Sequence, residues 1–386
     1  MKSGMIYVAL LGLLAACGGG GSSGSNGPAN QVVLVKGDPD ELIQGARLNK
    51  KSPFNRSNIQ SLNNYSLLTL TEFVEKEEQI VAPSQPRDPK KENAPSDGTQ
   101  PSSGEIFRLV MSPEISGQWT LSMLQGALSL VFVEKANEGV QPVMVSAGSE
   151  KGALEVVHWS TKEEGKFISL LLRLNTTKGK TLLVFYFQRN SRPVDIERVD
   201  PRYKYLAGPG VKLRWNPNVP LKLNLCGPRS STEVSDAVRA WQEVLGTDLI
   251  IQYSWTNDFA PFSDLNQHCI HMINVYLQSV DQSSATYGIA ITPRTTAHAS
   301  LFDSDIFIFH AEFRKVENYM RKLGYSEWGI QNETQKTFKM TLVHEIGHLL
   351  GLDHQFDGTR SVMSYDFNES VPTRYDRDAI RTLYSR

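Results

Sequence analysis

The sequence predicts an α+β protein in two successive parts: an antiparallel β domain over residues 105–204, then a mixed sheet with packed helices over residues 205–386. Three observations carry this. Between Glu105 and Asn190, runs rich in branched and aromatic residues recur with Gly, Ser or Asn between them, among them "EIFRLVM", "GQWTLSML", "LSLVFVEK", "KFISLLLRL" and "TLLVFYFQ". After the Pro/Gly joint "DPRYKYLAGPG", strand-like and helix-like patterns alternate. Near the C-terminus, "TFKMTLVHEIGHLLG" contains no proline and ends on Gly351, so it reads as a helix with a stop.

The bulk properties fit a globular protein. The chain has 386 residues, 40% of them hydrophobic, which suffices for two domains with sizeable cores. Its 40 basic and 41 acidic residues leave a formal charge of -1 with no long basic run, so no nucleic-acid partner is expected.

The N-terminus reads as an export signal. "MKSGMIYVALLGLLAACGGGG" has a lysine, an apolar stretch from Met5 to Leu14 too short to span a bilayer, and then small residues. The ending "LLAAC" resembles the lipobox of bacterial lipoproteins, which implies a signal peptide over residues 1–16 and a lipid-bearing Cys17; an ordinary cleaved signal with a chance cysteine is the alternative. On the first reading the protein is held in the bacterial cell envelope, at the outer membrane or cell surface. Stable anchoring then requires several acyl chains, because one chain binds membranes only marginally. The Gly/Ser run over 18–27 would serve as a flexible tether, and "APSQPRDPKKENAPSDGTQPSSG" over 82–104 as a solvated linker. Residues 17–104 as a whole therefore read as tether and low-complexity linker, with one strand-like run, "QVVLVK".

The β domain that follows should be a sandwich or small barrel. It shows no catalytic constellation, its one histidine, His158, reads as a strand residue, and a prodomain or a substrate-presenting module would suit it. Beyond the joint, "LKLNLC" reads as a strand and "SSTEVSDAVRAWQEVLG" as a helix, with Ser230 and Glu233 at capping-box spacing and Gly246 as the stop. Val234, Val238, Trp241 and Leu245 share one face of that helix, which should pack on a sheet. "DLIIQYSW", "HCIHMINVYL", "YGIAIT" and "DIFIFH" supply strands, and a more polar helical insertion covers roughly 311–330. Cys226 and Cys269 are an isolated pair in an exported chain and so a candidate disulfide, not a zinc site of their own.

The chemistry concentrates in "HEIGHLLGLDH". On a helix, His344 and His348 lie one turn apart on the same face and can converge on one ion. Glu345, one residue beyond the first histidine, is placed to accept a proton from a metal-bound water and not to ligate. Gly351 lets the chain leave the helix with positive φ, so that His354 can return as a third ligand. Three neutral imidazoles leave a tetrahedral zinc one open position, as a catalytic site requires. With ordinary residue frequencies these five residues at these spacings arise by chance on the order of once in a hundred thousand such chains, which makes a polar cluster capping a buried helix the poorer account.

The pattern HExxHxxGxxH resembles the zinc signature of the metzincin metalloproteases, which also carry a methionine turn downstream. "SVMSY" supplies it, with Met363 implied as an apolar floor under the zinc and Tyr365 as the tyrosine that, in astacin-like and serralysin-like members, ligates zinc or stabilises the oxyanion. The resemblance extends to the strands "HCIHMINVYL", "YGIAIT" and "DSDIFIFH" and to a closing helix at "YDRDAIRTLY"; it implies that substrate peptide pairs in extended form along "YGIAIT". Gln355, after the third histidine, departs from the Ser, Glu or Asp of the well-known subfamilies, and the helix reads matrixin-like while the turn reads astacin-like or serralysin-like. Residues 18–204 contain no cysteine, so a cysteine on zinc cannot keep the enzyme latent. The expectation is an exported zinc metalloendopeptidase acting on protein or peptide substrates. The rival is a non-catalytic zinc-binding adhesion or binding lipoprotein, against which an intact Glu345 argues. Calcium stays open: Asp303 and Asp305 are close in sequence, but on a strand edge they read as solvated.

Overall fold

The structure is a computed structural model that describes residues 31–36, 55–74, 107–111, 118–123, 128–135, 139–147, 150–162, 165–176, 179–189, 197–226, 232–256, 268–273, 276–277, 288–291, 301, 303–364 and 369–385. The chain divides into two compact units: Gly27–Pro39 with Arg47–Ser191, and a C-terminal unit that includes Arg192–Arg386. Among the described residues, no helix is long and apolar enough to cross a membrane.

The first unit is built from strands β1 (Gln31–Lys36), β2 (Tyr65–Val74), β3 (Phe107–Met111), β4 (Gln118–Met123), β5 (Leu128–Lys135), β6 (Gly139–Ala147), β7 (Glu150–Lys162), β8 (Phe167–Thr176) and β9 (Gly179–Arg189), with a short helix α1 (Arg56–Ser61). From β3 to β9 each strand pairs antiparallel with the next, then β2 pairs antiparallel with β9, and β1 lies parallel to β2. Trp119, Leu121, Leu130 and Phe132 of β4 and β5 share one buried cluster with Leu170, Leu172, Leu183 and Phe185 of β8 and β9. Val140 of β6, with Val156 and Trp159 of β7 packed against it, continues this cluster through the intervening strands. Helix α1 adds Ile59 to it, followed by Leu62; Arg56 fixes the helix by pairing with Glu134 and lying 5.9 Å over the Trp119 ring. The near-continuous apolar runs of β8 and β9 are buried on both faces, as expected of central strands.

The N-terminal part of this unit corrects the linear reading. Residues 31–36 and 55–74, assigned above to tether and linker, contribute two strands and a capped helix to the sheet. The cause is long-range pairing: β2 finds its partner in β9, more than a hundred residues away, and local composition carries no mark of that. Residues 1–30, with the signal and Cys17, and residues 82–104 lie outside the described residues.

In the C-terminal unit a two-residue pair, β10 (Lys204–Tyr205) and β11 (Gly208–Pro209), precedes β12 (Leu221–Cys226), α2 (Thr232–Leu245), β13 (Ile251–Thr256), β14 (His268–Ile273), β15 (Tyr276–Leu277), β16 (Gly288–Ile291), β17 (Asp305–Phe309), α3 (His310–Lys322), α4 (Glu327–Leu349) and α5 (Arg374–Tyr384). The five-stranded sheet has the order β13-β12-β14-β17-β16, parallel throughout except for β16, which runs antiparallel along its edge. The predicted α+β class holds. Val234, Val238, Trp241 and Leu245 are all buried on α2, and Gly246 ends that helix at φ +57°. The polar insertion resolves into α3, a turn at Gly324 (φ +82°) and the first turns of α4. The helix that carries the histidine motif therefore starts at Glu327, ahead of "TFKMTL", where the Ser326 hydroxyl caps it by accepting from the Gly329 N–H at 3.2 Å.

Trp241 is the joint between α2 and α4. It is fully buried and its indole N–H donates to the Val343 carbonyl at 2.8 Å, one residue before the first histidine of the motif. Trp241→Ala should lower stability by about 3–5 kcal/mol, since it opens a cavity in the core and removes one buried hydrogen bond. Urea unfolding of the full chain, followed by far-UV dichroism, would measure this; an unshifted transition refutes the assignment.

Candidate metal centre

Helix α4 sets two histidines and its exit sets the third. His344 and His348 stand one turn apart, with their Nε2 atoms 3.1 Å from each other. Gly351 then takes φ +107°, its N–H donates to the His348 carbonyl at 2.9 Å and the Leu352 N–H donates to the Gly347 carbonyl at 3.0 Å, a left-handed helix end. The chain turns back and places His354 Nε2 at 3.0 Å from His348 Nε2 and 3.3 Å from His344 Nε2. All three rings are buried.

The hydrogen bonds decide which nitrogens face inward. His344 Nδ1 lies 2.8 Å from the Val362 carbonyl and His348 Nδ1 lies 2.8 Å from the Leu352 carbonyl. A carbonyl only accepts, so both Nδ1 atoms carry the proton, and in the neutral ring Nε2 offers a lone pair. Burial, then the neighbouring His348, lowers the His344 pKa to about 3. His354 is pushed well down by burial first, and by His348 and His344 after it. His344 and His348 thus each turn an Nε2 lone pair toward the point that His354 Nε2 also faces.

Two nitrogens at about 2.0–2.1 Å from a tetrahedral zinc stand roughly 3.3 Å apart, so separations of 3.0–3.3 Å fit that ion. Among the described residues, this is the one group of three or more His, Cys, Asp or Glu side chains whose ligand atoms all lie within 4.8 Å of one another. Glu345 is fully buried next to the site and outside that group.

Three close approaches shape the surroundings. A Cβ on Gly347 would lie 2.4 Å from the Met363 Sδ and 3.1 Å from the Trp241 ring, so the absence of a side chain lets Met363 slide beneath the helix between the two ligands. A Cβ on Gly288, at the start of β16, would lie 2.8 Å from Thr341 Cγ2 and 3.1 Å from Glu345 Cγ, which brings the edge strand against the helix face that carries the base. A Cβ on Gly351 would lie 3.1 Å from the Leu213 carbonyl.

Asp376, in the first turn of α5, is a positioning residue that sequence reasoning missed. Its buried carboxylate accepts from the Ser361 hydroxyl, the Val362 N–H at 3.0 Å and the Thr373 N–H at 2.7 Å. Val362, held in this way, presents the carbonyl that fixes the His344 ring. The legible signal was the capping box "TRYD", with Thr373 as N-cap, but its second role toward the methionine turn has no local mark.

The remaining predicted residues divide. Met363 is buried under α4, and its carbonyl accepts from the Gln355 N–H at 3.0 Å. Tyr365, Ser230 and Cys17 lie outside the described residues. Strand pairing sets Cys226 opposite His271 and Cys269 opposite Asn224, on neighbouring strands but two residues out of register; their side chains lie outside the described residues. Asp303 and Asp305 correct an expectation: both are buried and not solvated, because the strand they lead into is interior to the sheet.

Two outcomes follow from this geometry. Gly347→Ala improves helix propensity by about 1 kcal/mol, yet it should weaken zinc binding because Met363 must move and the Trp241 ring cannot yield. Chelator competition would read this, and unchanged affinity would count against it. In the metal-free protein the unfolded chain takes up protons near the ordinary histidine value of 6.5, whereas folded His344 does so only near about 3. Stability should therefore fall as pH drops below about 6.5 and keep falling toward 3. A thermal midpoint flat across that window contradicts the neutral-imidazole account.

The family comparison agrees with the site. Residues 228–385 match the family model described as Matrixin, and this span holds all three histidines, Glu345 and Met363. Neither the curated proteins nor the solved structures offered a match. With the three-histidine cluster inside the matched span, residues 228–385 are a matrixin domain of the metzincin type, the catalytic fold of a family of zinc metalloproteases.

Proposed function

We propose that the chain is an exported zinc metalloendopeptidase that cleaves peptide bonds in proteins, anchored in the bacterial envelope by lipid on Cys17. The observation that carries the catalytic reading is the convergence of three buried imidazoles, with Nε2 separations of 3.0–3.3 Å, beside the buried side chain of Glu345. The anchoring reading is supported by "LLAAC" and the Gly/Ser run after it.

Zinc, when bound, supplies Lewis acidity toward water and the scissile carbonyl and brings the water into a range where it ionises near pH 7. The chain's own residues do the rest. Glu345 takes the proton from the attacking water and returns it to the departing amine, so one carboxylate serves as base and then as acid. Its burial keeps competing water away and strengthens both transfers. Tyr365 assists the oxyanion of the tetrahedral intermediate. Substrate binds in extended form along β16, whose antiparallel position at the sheet edge offers main-chain groups, while Gly288 leaves the space for that strand to run beside Glu345. The β unit serves as prodomain or substrate-presenting module.

Glu345→Gln keeps the shape and removes the base. Zinc content should stay at the wild-type level while cleavage of a mixed peptide library falls by about 10²–10⁴-fold. Cleavage that survives the substitution would remove Glu345 from the mechanism. Zinc-loaded protein that cleaves no peptide, either as the full chain or as a form starting near Lys204, would favour the binding-lipoprotein alternative, whereas cleavage by the short form alone marks the β unit as a prodomain.

A further inference from the structure

We propose that residues 197–215, which precede the family match, are a strap that fixes the third zinc ligand, with Tyr205 and Leu206 as its positioning residues. The proposal rests on the zinc reading of the centre given above. Its basis is where the main-chain groups of the helix exit go. The segment 349–353 links the second ligand to the third, and a helix end leaves carbonyls that need donors.

Three of these groups are taken by the strap. The Trp215 indole N–H donates to the Leu349 carbonyl at 2.7 Å, the Leu206 N–H donates to the Gly351 carbonyl at 2.9 Å, and the Asp353 N–H donates to the Lys204 carbonyl at 3.0 Å. Tyr205 sits between the last two, bridged antiparallel to Leu352. Leu352 is the residue whose carbonyl orients His348, and Asp353 is the residue before His354. The strap thus grips the loop one residue from each of the two ligands it joins.

The strap is itself stiff. The Val199 N–H donates to the Gly210 carbonyl at 2.8 Å, the Gly210 N–H donates to the Tyr203 carbonyl at 2.9 Å, and the Lys212 N–H donates to the Glu197 carbonyl at 2.9 Å. Gly210 has φ +66°, and a Cβ there would come within 2.5 Å of the Val199 carbonyl oxygen, so the fold of the strap depends on this glycine. Tyr205 is fully buried and its hydroxyl donates to the Ala379 carbonyl of α5 at 2.9 Å, which ties the strap to the helix that also carries Asp376. On the outer side the Tyr375 hydroxyl donates to the Arg202 carbonyl at 2.8 Å and accepts from the Lys204 N–H at 3.2 Å. A loop held at both ends and along its edge keeps His354 at ligand distance without metal, which lowers the ordering cost when zinc binds.

The test is the rate at which the zinc-loaded full chain surrenders its metal to a chromogenic chelator, with folding checked by dichroism. Tyr205→Ala should speed release at least tenfold. Tyr205→Phe, which keeps the ring and the main-chain bonds, should restore it to within about twofold of wild type. Leu206→Pro removes the N–H given to Gly351 while keeping Tyr205, so it tests the same link if Tyr205→Ala does not fold; it should also speed release at least tenfold. Leu225→Ala on β12 is equally buried but remote from the loop, and it should leave release unchanged in the folded chain. Release at the wild-type rate in folded Tyr205→Ala or Leu206→Pro overturns the strap, as does equal acceleration by Leu225→Ala. Peptide cleavage plays no part in this readout. Zinc-loaded protein that cleaves nothing, both as the full chain and as a form starting near Lys204, would sink the peptidase reading alone.

Discussion

Two imidazole lone pairs, on His344 and His348, point with the His354 Nε2 at one buried spot, and the surrounding C-terminal unit holds the three rings there. Separations of 3.0–3.3 Å between Nε2 atoms are too short to be an accident of packing, because nothing apolar is gained by bringing these atoms together. Fixed carbonyls orient two of the rings. Val362 holds one ring and Leu352 another, and each of these carbonyls is anchored by a different part of the chain. The Asp376 carboxylate stands behind Val362, and the 203–206 segment stands behind Leu352. The centre is thus a small number of atoms whose orientation is imposed from two sides, which α5 in turn links through Tyr375 and Ala379.

Much of the close packing near these atoms comes from side chains that are missing. Gly347 admits Met363, Gly288 admits Thr341 and Glu345 toward the edge strand, and Gly351 admits the Leu213 carbonyl while turning the chain. A helix interior normally disfavours glycine by about 1 kcal/mol relative to alanine, so Gly347 is tolerated for its contact and not for the helix. Packing under the motif therefore brings helix backbone and neighbouring side chains into direct contact, which leaves less room to rearrange than a layer of interdigitated side chains would.

The legibility of the chain follows the range of its interactions. The helix, two ligands four residues apart, the glycine stop and the third ligand are local features, and they could be read from "HEIGHLLGLDH" directly. The face of α2 was equally plain, since Val234, Val238, Trp241 and Leu245 obey helical spacing. What was not legible depends on partners far away. The helix start at Glu327 was obscured by the polar surface of its first turns, and of the two N-terminal strands only "QVVLVK" was marked locally, while the strand over 65–74 is specified by pairing with the distant β9. Trp215 meets Leu349 across 134 residues and Tyr205 meets Ala379 across 174, so no window of sequence holds both ends. Asp303 and Asp305 were misplaced for a related reason: burial of an acid depends on the sheet layer above it, which the strand's own sequence does not state.

Gln355 shows how a departure from a family pattern acquires a physical meaning. The residue after the third histidine differs here from the Ser, Glu or Asp that the resemblance led one to expect, and it is almost wholly buried. Its N–H donates to the Met363 carbonyl at 3.0 Å, and its side-chain Oε1 lies 3.3 Å from the Tyr375 hydroxyl that also donates to the Arg202 carbonyl. One residue therefore touches the methionine turn, the closing helix and, through one tyrosine, the segment that precedes the domain. A carboxylate at this place would be a buried charge, and burial of a charge without close pairing is costly. A serine would be too short to reach the tyrosine. The neutral amide, long enough to meet Tyr375 and free of charge, is the side chain that this arrangement of strap, loop and helix can accommodate, so the departure at Gln355 and the presence of the upstream strap are two sides of one structural choice.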